Sequence, residues 1–226
     1  MKNYLKKLIL FSLIFSAIFY ILGIITGIIF GNEIIKIVEK RNENITMLIN
    51  EIKNFSEEFE KVKLLFFSQE KCKIIEIFLE EEEKLLQKYY SVLPCRLEEF
   101  ELKEVPKWYL DLKKEYMKLQ LNTWIIAKEY ESCEKNFIAI LYFYKPNCYD
   151  CVKQGEEMDK IRNYLKEKYK VKIFTVDLNF SNPILSAIKK IYNITDVPSF
   201  IFRNITFNSF TSFDEFLSFF QSLEKK

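Results

Sequence analysis

Three patterns of apolar and polar residues follow one another along the chain. The first is an uncharged stretch from Leu8 to Phe30. A helix of that length rises roughly 34 Å, enough to cross a bilayer core of about 30 Å. The stretch is too long for the apolar part of a cleaved signal peptide, which has about 7–15 residues. The pattern therefore predicts one transmembrane signal-anchor helix at 8–30, preceded by a short N-terminus at 1–7.

The flanks of this stretch predict its orientation. Lys2, Lys6 and Lys7 precede it with no acidic residue among them, and basic flanks tend to stay in the cytoplasm. We expect a single-pass membrane protein with a cytoplasmic N-terminus and the bulk of the chain extracytoplasmic. Disulfides persist on that side of a membrane.

The second pattern, over residues 31–134, predicts an all-α helical segment without a single glycine after Gly31. Steps of three and four separate the apolar residues Ile45, Leu48, Ile52, Phe55, Phe59, Val62 and Phe66. Such a seam is typical of a coiled coil, and its phenylalanines favour a hairpin within the chain over a dimeric stalk. Two more helices are predicted, from about Gln69 to Leu93 and after Pro106.

The third pattern covers residues 135–226 and alternates between strands and helices. FIAILYFY (137–144) is a continuous apolar run, which predicts a buried strand. The segments after it predict the order β-α-β-α-β-β-α, with Ser212 as the N-cap of the last helix. The predicted fold class is α/β, preceded by the transmembrane helix and the helical segment.

Composition narrows the chemistry of the chain. The net charge of +2 argues against a protein built around nucleic acid, and the absence of histidine excludes a Ser-His-Asp triad and His-ligated zinc. The reactive side chains that remain are five cysteines: Cys72, Cys95, Cys133, Cys148 and Cys151. In an oxidising compartment an odd number leaves one thiol over. Our hypothesis pairs Cys72 with Cys133 and leaves Cys95 free.

Cys148 and Cys151 form a CxxC motif where a predicted strand passes into a helix, which is typical of a redox motif. KPNCYDC (145–151) resembles the active-site loop of glutaredoxins, and residues 137–226 resemble the thioredoxin superfamily. VKIFTVDLNFSNPILSAIKKIYNITDVPSFIF (171–202) resembles the central half of a thioredoxin. The resemblance implies a thioredoxin-like domain at 135–226, with Pro198, after Val197, as a cis-proline that faces the CxxC motif.

Two positions depart from these families. Thioredoxins carry a buried carboxylate on the strand before the motif, where this chain has Tyr142. Glutaredoxins hold glutathione with a glycine-containing turn near the C-terminus, whereas ITFNSFTS (205–212) has no glycine. The sequence therefore predicts neither a proton shuttle through an internal acid nor bound glutathione.

The resemblance implies the roles of the site residues. Cys148, exposed at the start of the helix, is the nucleophile, and Cys151, one turn in and more buried, is the resolving cysteine. The positive end of the helix stabilises a thiolate, Lys145 adds a cation, and Asp150 opposes both. Pro146 belongs to the same loop, and Tyr149 shapes the lip of the site.

Three functions remain open at this point. The first is a membrane-anchored thiol–disulfide oxidoreductase that acts on protein thiols and disulfides with an unidentified redox partner and without cofactor or metal. The second is a redox-inert thioredoxin-fold scaffold or protein-interaction module, whose CxxC disulfide is structural. The third is zinc or copper binding, for which Cys148 and Cys151 supply only two ligands.

Overall fold

The computed structural model describes residues 20, 46–47, 49–55, 57–58, 61, 70–92 and 107–224, with the backbone alone at 88–92 and 107–109. The chain divides into two units, Met1–Met47 and Leu48–Lys226, and nearly all described residues belong to the second. No helix among the described residues is long and apolar enough to span a bilayer. Apart from Tyr20, the span predicted at 8–30 lies outside the described residues, as do residues 1–7 and Cys95.

Two long helices come first in the second unit. They are α1 (Lys71–Val92) and α2 (Lys107–Tyr130), and they confirm the helices predicted for this part of the chain. A disulfide joins Cys72, in the first turn of α1, to Cys133, just beyond α2, with a Cα–Cα distance of 5.6 Å. The start of α1 is therefore fastened to the end of α2.

The heptad stripe before α1 is described only in part. Residues 49–55 are helical, and Ile52 is fully buried. The ring of Phe55 stacks on Phe78 of α1, with 4.5 Å between the ring centroids. This contact lies within the chain, as in the predicted helical hairpin, and the described residues give no support to a coiled coil.

The remaining elements follow the predicted order β-α-β-α-β-β-α. They are β1 (Phe137–Tyr144), α3 (Tyr149–Leu165), β2 (Lys170–Asp177), α4 (Pro183–Ile191), β3 (Ser199–Phe202), β4 (Ile205–Phe207) and α5 (Phe213–Glu224). The strands form a sheet in the order β2-β1-β3-β4, in which β1 is parallel to β2 and the other pairs are antiparallel. Every residue of β1 is buried, which explains its continuous apolar sequence. This mixed α/β arrangement is consistent with a thioredoxin-like fold.

Helix α2 covers the outer edge of β2. The side-chain Oε1 of Gln120 accepts the backbone N–H of Thr175 at 3.1 Å, and the sulfur of Met117 accepts the N–H of Asp177 at 3.4 Å. These contacts satisfy edge groups that have no neighbouring strand within the described part of the chain. Helix α2 and the sheet thus belong to one unit, and the predicted boundary between 31–134 and 135–226 stays a prediction.

Phenylalanines attach α5 to the sheet. Phe216 is fully buried, and its ring centroid lies 5.0 Å from that of Phe202 in β3 and 6.0 Å from that of Phe220. At the start of α5, the Ser212 N–H donates to Glu215 Oε2 at 2.8 Å, and the Glu215 N–H approaches Ser212 Oγ at 3.4 Å. This capping box confirms the N-cap predicted at Ser212.

A buried carboxylate joins α1 to β2. The Glu82 side chain is fully buried, and its Oε2 lies 3.1 Å from Lys172 Nζ, which also donates to the Leu79 carbonyl at 2.7 Å. Burial raises the pKa of the Glu82 carboxyl above its ordinary value, and the Lys172 ammonium offsets only part of this rise. Folding therefore shifts this carboxyl toward its protonated form relative to the unfolded chain.

We expect the Glu82→Gln variant to gain stability relative to the wild type as the pH rises. A carboxyl whose pKa is raised by folding contributes stability that is fully present below its unfolded pKa and is lost as the pH rises through its folded pKa. Glutamine removes this dependence. The measurement is the urea midpoint of both proteins at pH about 4 and about 8, at one ionic strength.

The matched control is Glu83→Gln. Glu83 lies 3.5 Å from the same lysine, but its side chain is 61% exposed. Solvent screens an exposed charge, so its removal should leave the pH dependence almost unchanged. An equal gain for Glu83→Gln, or a relative loss for Glu82→Gln at the higher pH, contradicts the assignment to Glu82.

Candidate active site

The CxxC motif begins in the loop after the central strand. β1 ends at Tyr144, and the loop turns at Asn147, whose φ of 60° lies in the left-handed region. Asparagine adopts this region more readily than most residues. Cys148 is the N-cap of α3, with φ −102° and ψ 100°. The motif therefore spans the end of the loop and the first turn of the helix.

The two cysteines form a disulfide and differ in exposure. Their Cα atoms are 5.1 Å apart. Cys148 is half-buried, which is less accessible than the exposed position expected from the sequence, and Cys151 is only 3% exposed. The Cys148 sulfur accepts the backbone N–H of Cys151 at 3.1 Å. The more accessible sulfur thus receives a hydrogen bond from the first turn of α3.

The peptide bond between Val197 and Pro198 is cis, and Pro198 immediately precedes β3. In the antiparallel register, Ser199 pairs with Phe143, so Pro198 lies level with the end of β1. Pro198 is buried and Val197 half-buried. The sheet therefore brings the cis-proline loop and the CxxC loop to the same edge.

An ion pair connects these two loops. Lys145 Nζ donates to Asp196 Oδ1 at 2.7 Å, and the same oxygen accepts the Val197 N–H at 2.9 Å. The Lys145 hydrogen bond and the backbone bond from Val197 hold the pKa of Asp196 below its ordinary value. The sequence predicted Lys145 as a nearby cation but missed Asp196, whose only signal was an acid two residues before the predicted cis-proline.

Tyr142 supports the first turn of α3 from below. Its side chain is buried, and its hydroxyl donates to the backbone carbonyl of Cys151 at 2.7 Å. The sequence predicted that this chain departs at Tyr142 from the buried carboxylate of thioredoxins. Here a phenol holds the backbone of the inner cysteine, and the Tyr142 ring lies 6.5 Å from that of Tyr144.

The outer rim of the site is partly apolar. Tyr149 is 72% exposed, and Lys153 Nζ lies 4.4 Å from the centroid of its ring. Val152 is 40% exposed beside it. Asp150 and Pro146 are also exposed. Tyr149 is therefore an exposed ring beside Cys148 with a cation held on it, and its role at the lip of the site stays a prediction.

A buried glutamine ties α3 to the chain before α5, and the sequence analysis missed it. Gln154 accepts the Thr211 N–H at 2.8 Å and donates to the Thr211 carbonyl at 3.1 Å. Its signal was a polar residue at a buried helical spacing, three after Cys151 and four before Met158. The pair fixes residues 208–212 beside the CxxC helix.

The second disulfide lies at the opposite end of β1. Cys133 precedes this strand and Cys148 follows it, and the strand is roughly 25 Å long at about 3.3 Å per residue. The two disulfides are therefore too far apart for direct exchange within the described unit. The described residues also contain no group of three or more His, Cys, Asp or Glu side chains placed to hold a metal ion.

Comparisons with known proteins find weak similarity over part of the chain. No family model matches the chain, and no curated protein is similar to it. Two solved structures each align with 38% of this chain: a malarial protein (21% identity, 97% of its chain, TM-score 0.32) and thioredoxin-2, a component of malaria parasite protein secretion machinery (22% identity, 84% of its chain, TM-score 0.32). Similarity at this level carries no argument, so the fold described here rests on the strand order and connections.

Proposed function

We propose that this chain is a thiol–disulfide oxidoreductase that acts on protein disulfides through Cys148 and Cys151. One observation carries the proposal: the more accessible sulfur, at Cys148, accepts an N–H from the first turn of α3, while Cys151 behind it is buried. A thiolate at Cys148 is stabilised by that N–H and by the positive end of the helix. Cys151 lies behind it, so that its thiolate attacks the Cys148 sulfur once that sulfur is joined to a client in a mixed disulfide.

Reduction of a client disulfide proceeds in two exchanges. The Cys148 thiolate attacks one client sulfur, forms a mixed disulfide and releases the other client sulfur as a thiolate. Cys151 then gives up its proton and attacks the Cys148 sulfur, which forms the internal disulfide and releases the second client thiolate. The protein loses two electrons and the client gains them. The reverse sequence oxidises a client dithiol.

The remaining features of the proposal concern the setting of this chemistry. A thioredoxin-like domain at 135–226 carries the site, and Pro198 supports the backbone that faces the client. Residues 8–30 anchor the chain in a membrane, with the bulk of the chain on the extracytoplasmic side. A separate redox partner exchanges electrons with the Cys148–Cys151 pair.

The test is the reduction potential of this pair in the full-length chain in detergent. Redox buffers set the potential, and mass spectrometry of alkylated peptides distinguishes the CxxC peptide from the other cysteines. A value of about −120 to −200 mV indicates an oxidase or isomerase, and about −270 mV indicates a reductase. A pair that stays oxidised below about −300 mV refutes the proposal and favours a structural disulfide in a redox-inert scaffold.

A further inference from the structure

The CxxC loop and the cis-proline loop are linked by the Lys145–Asp196 ion pair. Lys145 is three residues before Cys148, and Asp196 is two residues before Pro198. The nitrogen–oxygen distance is 2.7 Å, and the two side chains are 34% and 73% exposed. Because the same Asp196 oxygen also accepts the Val197 N–H, the carboxylate is oriented by its own backbone. The Lys145 ammonium is therefore paired with a carboxylate whose orientation is fixed by its own backbone.

This pairing changes what Lys145 does for a thiolate. A free ammonium near Cys148 would stabilise the negative charge of the thiolate, whereas a carboxylate at a similar distance would destabilise that charge. The two charges of an ion pair act on a third charge in opposite directions, so that only the difference between their two effects remains. The Cys148 thiolate consequently gains little from Lys145 and depends on the helix N–H groups.

The other charged groups around Cys148 leave this balance in place. On α3, Asp150 is exposed and Lys153 is held over the Tyr149 ring. Asp177, at the end of β2, forms a second ion pair with Lys113 of α2, with 2.6 Å between Nζ and Oδ2. The hydroxyl of Tyr142 beneath the motif is donated to the Cys151 carbonyl. Lys145 is thus the basic residue that lies in the CxxC loop, between the end of β1 and Cys148.

We infer that Asp196 is a positioning residue that restrains Lys145 and thereby lowers the reactivity of Cys148. The carboxylate keeps the ammonium at the cis-proline loop, so that the lysine does not turn toward the sulfur. The inference rests on the proposed function in one respect, since it takes Cys148 as the attacking cysteine. It does not depend on the identity of the client or on the direction of electron flow.

The experiment measures the rate of alkylation of Cys148 against pH in full-length protein in detergent. All variants carry Cys151→Ser, and a small thiol that is then removed releases any trapped client, so that Cys148 is a free thiol whatever the potential of the pair. The Cys148 peptide is followed by mass spectrometry. Asp196→Asn keeps the shape and the acceptor for the Val197 N–H. Lys145→Gln removes the cation, and the double variant completes the cycle.

We expect Asp196→Asn to lower the midpoint of the alkylation profile by about half a pH unit at low salt. Lys145→Gln should raise the midpoint about twice as much in the Asp196→Asn background as in its absence, because only a released lysine approaches the sulfur. The matched control is Asp150→Asn, which removes an acid that does not hold Lys145. Its effect should add to that of Lys145→Gln without coupling.

Equal effects of Lys145→Gln in the two backgrounds overturn the inference, as does a midpoint that Asp196→Asn leaves unchanged or raises. The rate at which the same proteins with Cys151 restored reduce a protein disulfide is measured separately. Coupled midpoints without such exchange leave the inference standing and refute the proposed function. Exchange without coupled midpoints overturns the inference and leaves the proposed function standing.

Discussion

Replacing Cys151 with serine is expected to leave the protein covalently joined to its clients, at close to one client per chain. The first exchange needs only the Cys148 thiolate, so the mixed disulfide still forms. The second exchange needs the sulfur of Cys151, a residue whose Cα atom lies 5.1 Å from the Cα atom of Cys148. Without it, the complex breaks down only through an outside thiol. Cys148→Ser should trap nothing and lose all measurable exchange, since a serine hydroxyl does not replace the thiolate.

Both variants are to be expressed as full-length chains, and the complexes compared on non-reducing and reducing gels before the clients are identified by mass spectrometry. Cys148→Ser serves as the matched control, because it removes the outer sulfur and leaves the inner one. Equal amounts of complex from the two variants, or none from Cys151→Ser in a protein with a reducible CxxC pair, would falsify the assigned roles of nucleophile and resolving cysteine.

Removing the other disulfide is expected to cost the fold about 4 kcal/mol. The Cys72–Cys133 bond closes a loop with a sequence separation of 61 residues, and the entropy lost by the unfolded chain increases with the size of such a loop. The bond also fastens α1, whose buried Ile75 and Leu79 belong to the core. Cys72→Ser with Cys133→Ser should therefore lower the thermal midpoint by roughly 10 °C.

The control is the pair Cys148→Ser and Cys151→Ser, which opens a loop with a sequence separation of only 3. The same chain-entropy argument gives it less than half of the effect. Both proteins are compared with the wild type by urea denaturation monitored by tryptophan fluorescence. A loss below about 1 kcal/mol for the Cys72–Cys133 variant would show that this bond adds little to the packing of α1.

Local patterns predicted the elements of the C-terminal half because each one depends on neighbours in sequence. The apolar run at 137–144 predicted a buried strand from eight consecutive residues, and every residue of β1 is buried. Cys148 lies at a helix start because a strand ends at Tyr144 and a helical pattern begins at Tyr149. Ser212 caps α5 through a residue only three positions away.

Polar contacts between distant residues could not be predicted in this way. Lys145 and Asp196 are 51 residues apart, and Gln154 and Thr211 are 57 apart. The first contact depends on how two loops meet, and the second on how the chain before α5 packs against helix α3. No spacing rule describes either. The hydrogen bond of the Tyr142 hydroxyl could not be predicted either, because its acceptor is a backbone carbonyl, a group that every residue has.

The cover that α2 provides for β2 has a consequence during synthesis. Helix α2 precedes the sheet in the chain, so it leaves the ribosome before β2, and its Gln120 and Met117 are available when that strand emerges. An uncovered strand edge is a template for pairing with another chain, most of all in a partly folded protein. We therefore expect a fragment that starts at β1 to expose this edge of β2 and to aggregate more readily than the full chain.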